Sequence, residues 1–205
     1  MITRASLTFL LLCMLGACAS SPVTNLHSLL PLSEPAVERD AGPGPHIVIA
    51  STVVPESVDR PQLLVAHGSH EMKLLENERW SEPLRRAIPR ALAHHIAQEL
   101  PAIVWSSSAA APQNPDLRIL LDVTRWQSVL GEGVAVEVLW TLRKDATHTS
   151  GRSRVSVPVA GERYADLVAG HQEALRRIAG EITHAARKTL LQAPAGKARS
   201  HSSQQ

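Results

Sequence analysis

The chain is short of aromatic residues: among 205 residues there are four Trp, one Tyr and one Phe. Flat platforms on which bases would stack are scarce, and the basic residues are scattered among acids at a formal net charge of +2. Composition therefore argues against a nucleic-acid partner. No apolar run is long enough to cross a bilayer as a helix, the longest near the N-terminus being Leu7 to Leu15, about nine residues. Cysteine is nearly absent, with Cys13 and Cys18 the whole complement. The chain also has no Gly-x-Ser-x-Gly elbow, His-Glu-x-x-His, phosphate-binding Gly-Lys loop or paired cysteine motif. The expected cofactor set is empty, no metal is expected, and no enzyme is expected because no nucleophile and base can be named. Gly131-Glu132-Gly133 lacks the third glycine of a dinucleotide loop and has no helix behind it, so it reads as a hairpin.

What is present begins with Arg4 and the short apolar run, the make-up of a signal peptide over residues 1–17. Leu15-Gly16-Ala17-Cys18 resembles the lipobox of bacterial lipoproteins, which marks Cys18 as the acylated first residue of the mature chain. The competing reading is an ordinary secretory signal with an incidental cysteine. With Cys13 removed and Cys18 lipidated no thiol remains, so packing alone must hold the fold despite an oxidising compartment. More than one acyl chain gives stable anchoring. Ala19-Ser20 follow the cysteine where an aspartate would stand in retained lipoproteins, and by resemblance this favours the outer membrane, with the domain facing the periplasm.

Residues 18–45 form the lipidated N-terminus and a Pro-, Ser- and Gly-rich tether, in which only Leu26 to Leu32 is apolar enough to dock. A single domain is expected over 46–192, and a polar, disordered tail over 193–205. Ile47 to Val54 reads as a strand stopped by Pro55, and Gln62 to His67 with Glu71 to Leu75 as two strands about a Gly68-Ser69 turn. Ser81 is the expected cap of a helix whose buried face is Leu84, Ile88, Ala91, Leu92, His95 and Ile96, with a kink or restart at Pro89. Ile103 to Trp105 reads as a short strand.

Alternation from Leu117 to Val123, from Val134 to Leu142 and over Arg152 to Val159 predicts antiparallel strands. A last helix from about Glu162 carries the stripe Leu167, Val168, His171, Ala174, Leu175, Ile178, Ile182 and Ala185. Together these predict an α+β two-layer sandwich, a largely antiparallel sheet with both long helices on one face.

Several residues admit two readings. His94 and His95 are neighbours on a helix, which points them to different sides and argues against a shared ion; His67 and His70 flank a turn. His95 and His171 lie on apolar faces and read as core histidines. Asp59, Arg60 and Pro61 either form a partner-facing turn or pair locally to stiffen it. Trp80 reads as packing beside the helix start, and Trp126 falls off the inward face of its strand, making it an interface candidate.

Pro55 through Gln62, Arg79-Trp80-Ser81-Glu82-Pro83-Leu84, the strand from Leu117 to Trp126, the hairpin from Gly131 to Leu142 and Tyr164-Ala165-Asp166-Leu167-Val168 resemble the PqiC-type lipoproteins. These are the auxiliary lipoproteins of ABC-type and MCE-type lipid transport systems. Where the family often has an aromatic residue, Thr or Ser, and Leu soon after the anchor, this chain has His27-Ser28-Leu29. The resemblance implies a non-enzymatic outer-membrane lipoprotein that meets the far end of an MCE-domain protein and, through it, inner-membrane components. A homo-oligomeric ring is the arrangement expected, since one small domain cannot enclose a lipid path. A standalone envelope lipoprotein with a structural or assembly role is the alternative.

Overall fold

The computed structural model describes residues 22–31, 44–68, 70–106 and 109–192. The expected lipid-attachment residue Cys18, the signal peptide, Ser69 and the C-terminal tail lie outside the described residues. The described chain runs β1 (Asn25–His27), β2 (His46–Val53), β3 (Gln62–His67), β4 (Glu71–Trp80), α1 (Leu84–Glu99), β5 (Ile103–Ser106), β6 (Leu117–Val129), β7 (Gly133–Lys144), β8 (Thr147–Pro158) and α2 (Tyr164–Leu191).

The strands form one eight-stranded sheet, and its longest ladders, β6 with β7 and β7 with β8, are antiparallel hairpin pairs. The α+β architecture is as predicted. The pairings alternation cannot reveal are parallel: β2 lies between β5 and β6, parallel to both, and β1 adds parallel to β4. The strands β2 and β3 share the same edge of β6, because β2 pairs with Leu117 to Asp122 and β3 touches β6 only through Ala66 and Val129. The segment Val54 to Pro61 interrupts that edge.

Both helices bury one face against the sheet, α1 over β2 and β5, α2 over β6, β7 and β8, and they pack on each other. Leu84, Ile88, Ala91, Leu92 and Ile96 of α1 and Leu167, Ala174, Leu175, Ile178 and Ile182 of α2 are buried. In the last turns Ala186 is buried and Ala185 only partly, so the stripe drifts one residue from the expected one. Of the kink or restart expected at Pro89, the restart does not occur: α1 continues through Pro89, which is itself buried. Gly170 marks close packing: a Cβ there would stand 2.8 Å from Val159 Cγ2 and 3.2 Å from Val134 Cγ2.

Trp126 corrects the sequence reading. Leu117, Ile119, Leu121 and Val123 face inward on odd numbers, and a register shift between Val123 and Arg125 then moves the inward set to Trp126 and Ser128. A bulge adds one residue to one strand and so exchanges the faces of all that follow. Trp126 is 7% exposed, in the core and not at an interface.

Candidate functional site

The turn between β2 and β3 is built by proline and by one carboxylate. Pro55 ends the ladder, and its carbonyl accepts the N–H groups of both Val58 and Asp59 at 3.0 Å. Val58 is buried beneath the turn. The Asp59 carboxylate reaches the start of α1, where Oδ1 accepts the Arg85 backbone N–H at 3.2 Å and Oδ2 accepts Arg85 Nη1 at 2.7 Å. With its side chain 10% exposed, Asp59 is committed to that contact, while Arg60 and Pro61 are exposed.

Asp59 thus does the work expected of Ser81. The helix starts three residues beyond Ser81, after Pro83, and Ser81 gives no side-chain cap. Its backbone N–H is donated instead to the His27 carbonyl at 2.8 Å, as an extension of the pairing of β1 with β4. A carboxylate supplied from another element satisfies an orphan donor at the positive helix end as well as an N-cap residue does. Glu82 pairs with Arg90 Nη1 at 2.9 and 3.0 Å.

The segment His27-Ser28-Leu29 docks by a different route from an aromatic plug. His27 Nε2 lies 2.5 Å from Glu78 Oε2, the Ser28 carbonyl accepts from Gln172 Nε2 of α2 at 3.0 Å, and the Leu29 side chain is in the core. Beside it, Trp80, Trp126 and His171 form one buried cluster that joins β4, β6 and α2. The His171 ring stacks on Trp126 at 4.1 Å between centroids and 5° between planes, and Trp80 meets both edge-on at about 6 Å. His171 Nε2 shares a hydrogen bond of 2.8 Å with Ser128 Oγ, while its Nδ1 has no partner. Burial pushes its pKa down to about 3, so the ring is neutral at physiological pH. His171 is a core histidine, as its position predicts.

Among the described residues the other histidines form no cluster of metal-ligand groups. The rings of His94 and His95, expected to point to different sides, meet edge-on at 5.3 Å, and His67 and His70 stand exposed at their turn. Among the described residues no three His, Cys, Asp or Glu side chains come together as a metal site would require. The open face of the sheet carries Arg152 and Arg154 around Glu137, and their guanidinium groups, Arg154 above all, hold its carboxylate below the usual range. The close hydroxyl–imidazole pair, Ser128 with His171, is sealed in the core at 4% and 1% exposure, where no substrate reaches it. Among the described residues the turn at Arg60 and Pro61 is exposed and is braced on α1 through Asp59.

The sequence matches the family described as the ABC-type transport auxiliary lipoprotein component over residues 28–183. The chain belongs to that family. This auxiliary lipoprotein shares its fold with two crystal structures. One, of an uncharacterized protein, aligns with a TM-score of 0.67 at 12% identity, covering 80% of this chain and 99% of the other. The second, protein XCC0632 from Xanthomonas campestris, described under DUF330, gives 0.56 at 15%, covering 82% and 97%. At these identities the likeness concerns the fold. No curated protein matches the sequence. The matched region runs from Ser28 through the turn and α1 and into α2 as far as Thr183.

The structural contacts that sequence reasoning missed are the remote caps. Arg187 of α2 donates from Nη2 to the Glu99 carbonyl at 3.0 Å, and Lys144 of β7 donates to the Leu190 and Gln192 carbonyls at 2.8 and 2.7 Å. No local spacing signals either one.

Proposed function

We propose that this auxiliary lipoprotein is a non-enzymatic docking subunit of an MCE-type intermembrane lipid transport system, held in the outer membrane through acylated Cys18. Family membership over residues 28–183 carries the proposal. The lipobox at Leu15 to Cys18 and the absence of aspartate after the cysteine support the anchor and its membrane. Its work is placement: the tether lets the rigid domain reach the end of an MCE-domain protein, and the exposed Arg60 and Pro61, braced by Asp59 on α1, offer the contact. Several copies in a ring would frame a path that one domain of this size cannot enclose.

The test is a crosslinking pulldown of the lipidated protein from native membranes, with partners identified by mass spectrometry. Specific recovery of an MCE-domain protein is the expected result. Recovery of outer-membrane assembly factors alone would transfer the protein to a standalone envelope role. Light scattering after detergent extraction checks the ring separately, and a monomer would count against it.

A further inference from the structure

Strand β1 reverses the alternation usual for an edge. Its polar residues share the face of Glu78 and are both spent on it: Asn25 Nδ2 donates to Oε1 at 2.7 Å and His27 Nε2 lies 2.5 Å from Oε2. The apolar residue between them is thereby turned out, and Leu26 is 66% exposed on the open face of the sheet. Val23, three residues earlier, is 81% exposed. The register sets Leu26 beside Arg79, whose half-exposed guanidinium donates from Nε to the Glu76 carbonyl at 2.9 Å and keeps Nη2 3.8 Å from the Glu76 carboxylate. Two apolar side chains and a half-exposed guanidinium, held by Glu76 through its Nε, therefore share one edge.

The position of this edge in the chain indicates what covers it. Val23 stands five residues after Cys18 and Leu26 eight. An extended chain advances at most about 3.6 Å per residue, so Val23 is within about 18 Å of the acylated sulfur and Leu26 within about 29 Å. Apolar side chains kept that close to a bilayer gain by entering the boundary between headgroups and acyl chains, and a guanidinium matches lipid phosphate in a bidentate pair.

We infer that Val23, Leu26 and Arg79 form a membrane seat, with the β1 edge lying against the leaflet that holds the anchor. The inference rests on the reading of Cys18 as acylated. It fixes the domain's tilt: β1 is down, and β8, five strands away across the sheet, is about 24 Å farther from the lipid at about 4.8 Å per strand.

The experiment uses the full chain, processed in cells, with Leu26→Cys or Ser156→Cys as the one free thiol beside acylated Cys18. Each is labelled with an environment-sensitive fluorophore and reconstituted into phosphatidylethanolamine–phosphatidylglycerol vesicles at less than one protein per vesicle. The expected result is that the probe at 26 is quenched by lipid-borne nitroxide and shielded several-fold from aqueous iodide, while the probe at exposed Ser156 on β8 is not. Val23→Cys, outside the strand, gives the same reading if labelling at 26 disturbs β1. Equal iodide access at 23, 26 and 156 would overturn the seat. So would shielding that appears only as protein density rises, because a second copy would then be the cover. Mass spectrometry of the mature protein separates the two failures. An unmodified Cys18 removes the anchor and the seat together, whereas an acylated Cys18 with an open residue 26 removes the seat alone.

Discussion

Asp59 couples the exposed turn to the helix that supports it, and its carboxylate is the group to remove. Asp59→Ala should cost about 1 kcal/mol, the usual value of a lost cap, read as a lower urea midpoint, and Asp59→Asn should recover part of it by still accepting the Arg85 N–H. Gly151 is constrained more severely. It is the cross-strand partner of Trp140, and a Cβ there would land on the indole ring, which is held by a 3.0 Å hydrogen bond from Nε1 to Ser153 Oγ. Gly151→Ala should therefore destabilise by about 1–3 kcal/mol, the range for overpacking, with a change in near-ultraviolet circular dichroism from the displaced ring. At this scale the sequence was legible where burial follows period: Trp80 and His171 are core as read. It failed for Trp126 because a one-residue bulge changes the parity of a strand without leaving a local signature.

His171 also sets a pH dependence. Its ordinary value of 6.5 falls to about 3 in the fold because burial disfavours the charged ring. The unfolded chain then binds a proton that the folded one refuses, so stability is full above about pH 6.5 and declines as pH falls toward 3, by about 1.4 kcal/mol per pH unit. Glu173, drawn down to about 2 by hydrogen bonds from Arg176 and Arg177, adds a second loss only below its ordinary value of 4.5. Urea unfolding between pH 7 and pH 5 should show the first slope in the parent and not in His171→Phe. Equal slopes would mean that the ring titrates normally.

Each helix depends on groups that arrive from elsewhere in the fold. Asp59 and Arg187 serve the two ends of α1, and Lys144 closes the end of α2. Replacing Lys144 by Met keeps the stem and leaves terminal carbonyls unpaired, which should cost about 1 kcal/mol and speed hydrogen exchange in the last turn of α2 alone. The elements themselves were largely legible, since every described helix and every strand from β2 to β8 has a periodic or β-branched signal. Their ends were less so, because β4 runs on to Trp80 and β8 begins at Thr147, where charged and polar residues hide the strand pattern. The parallel pairing of β1, β2 and β5 depends on long crossovers that no local window contains.

For the whole molecule, the split edge of β6 is the defining feature. The strand β2 occupies its lower half, β3 its upper end, and the turn carrying Arg60 and Pro61 projects between them, fixed from behind by Asp59 on α1. That geometry makes the turn a fixed knob and not a loose loop. The sequence offered stiffening of the turn by a local pair, and the structure supplies it from farther away, because Asp59 and Arg85 are brought together only by the packing of α1.

The most direct measurement is site-specific photocrosslinking in cells from a photoreactive residue at position 60, with one at Ser156 as reference. The proposed function predicts an adduct between position 60 and an MCE-domain protein, absent or much weaker from position 156. Adducts only with outer-membrane assembly factors, or no MCE-domain protein from either position, would contradict it.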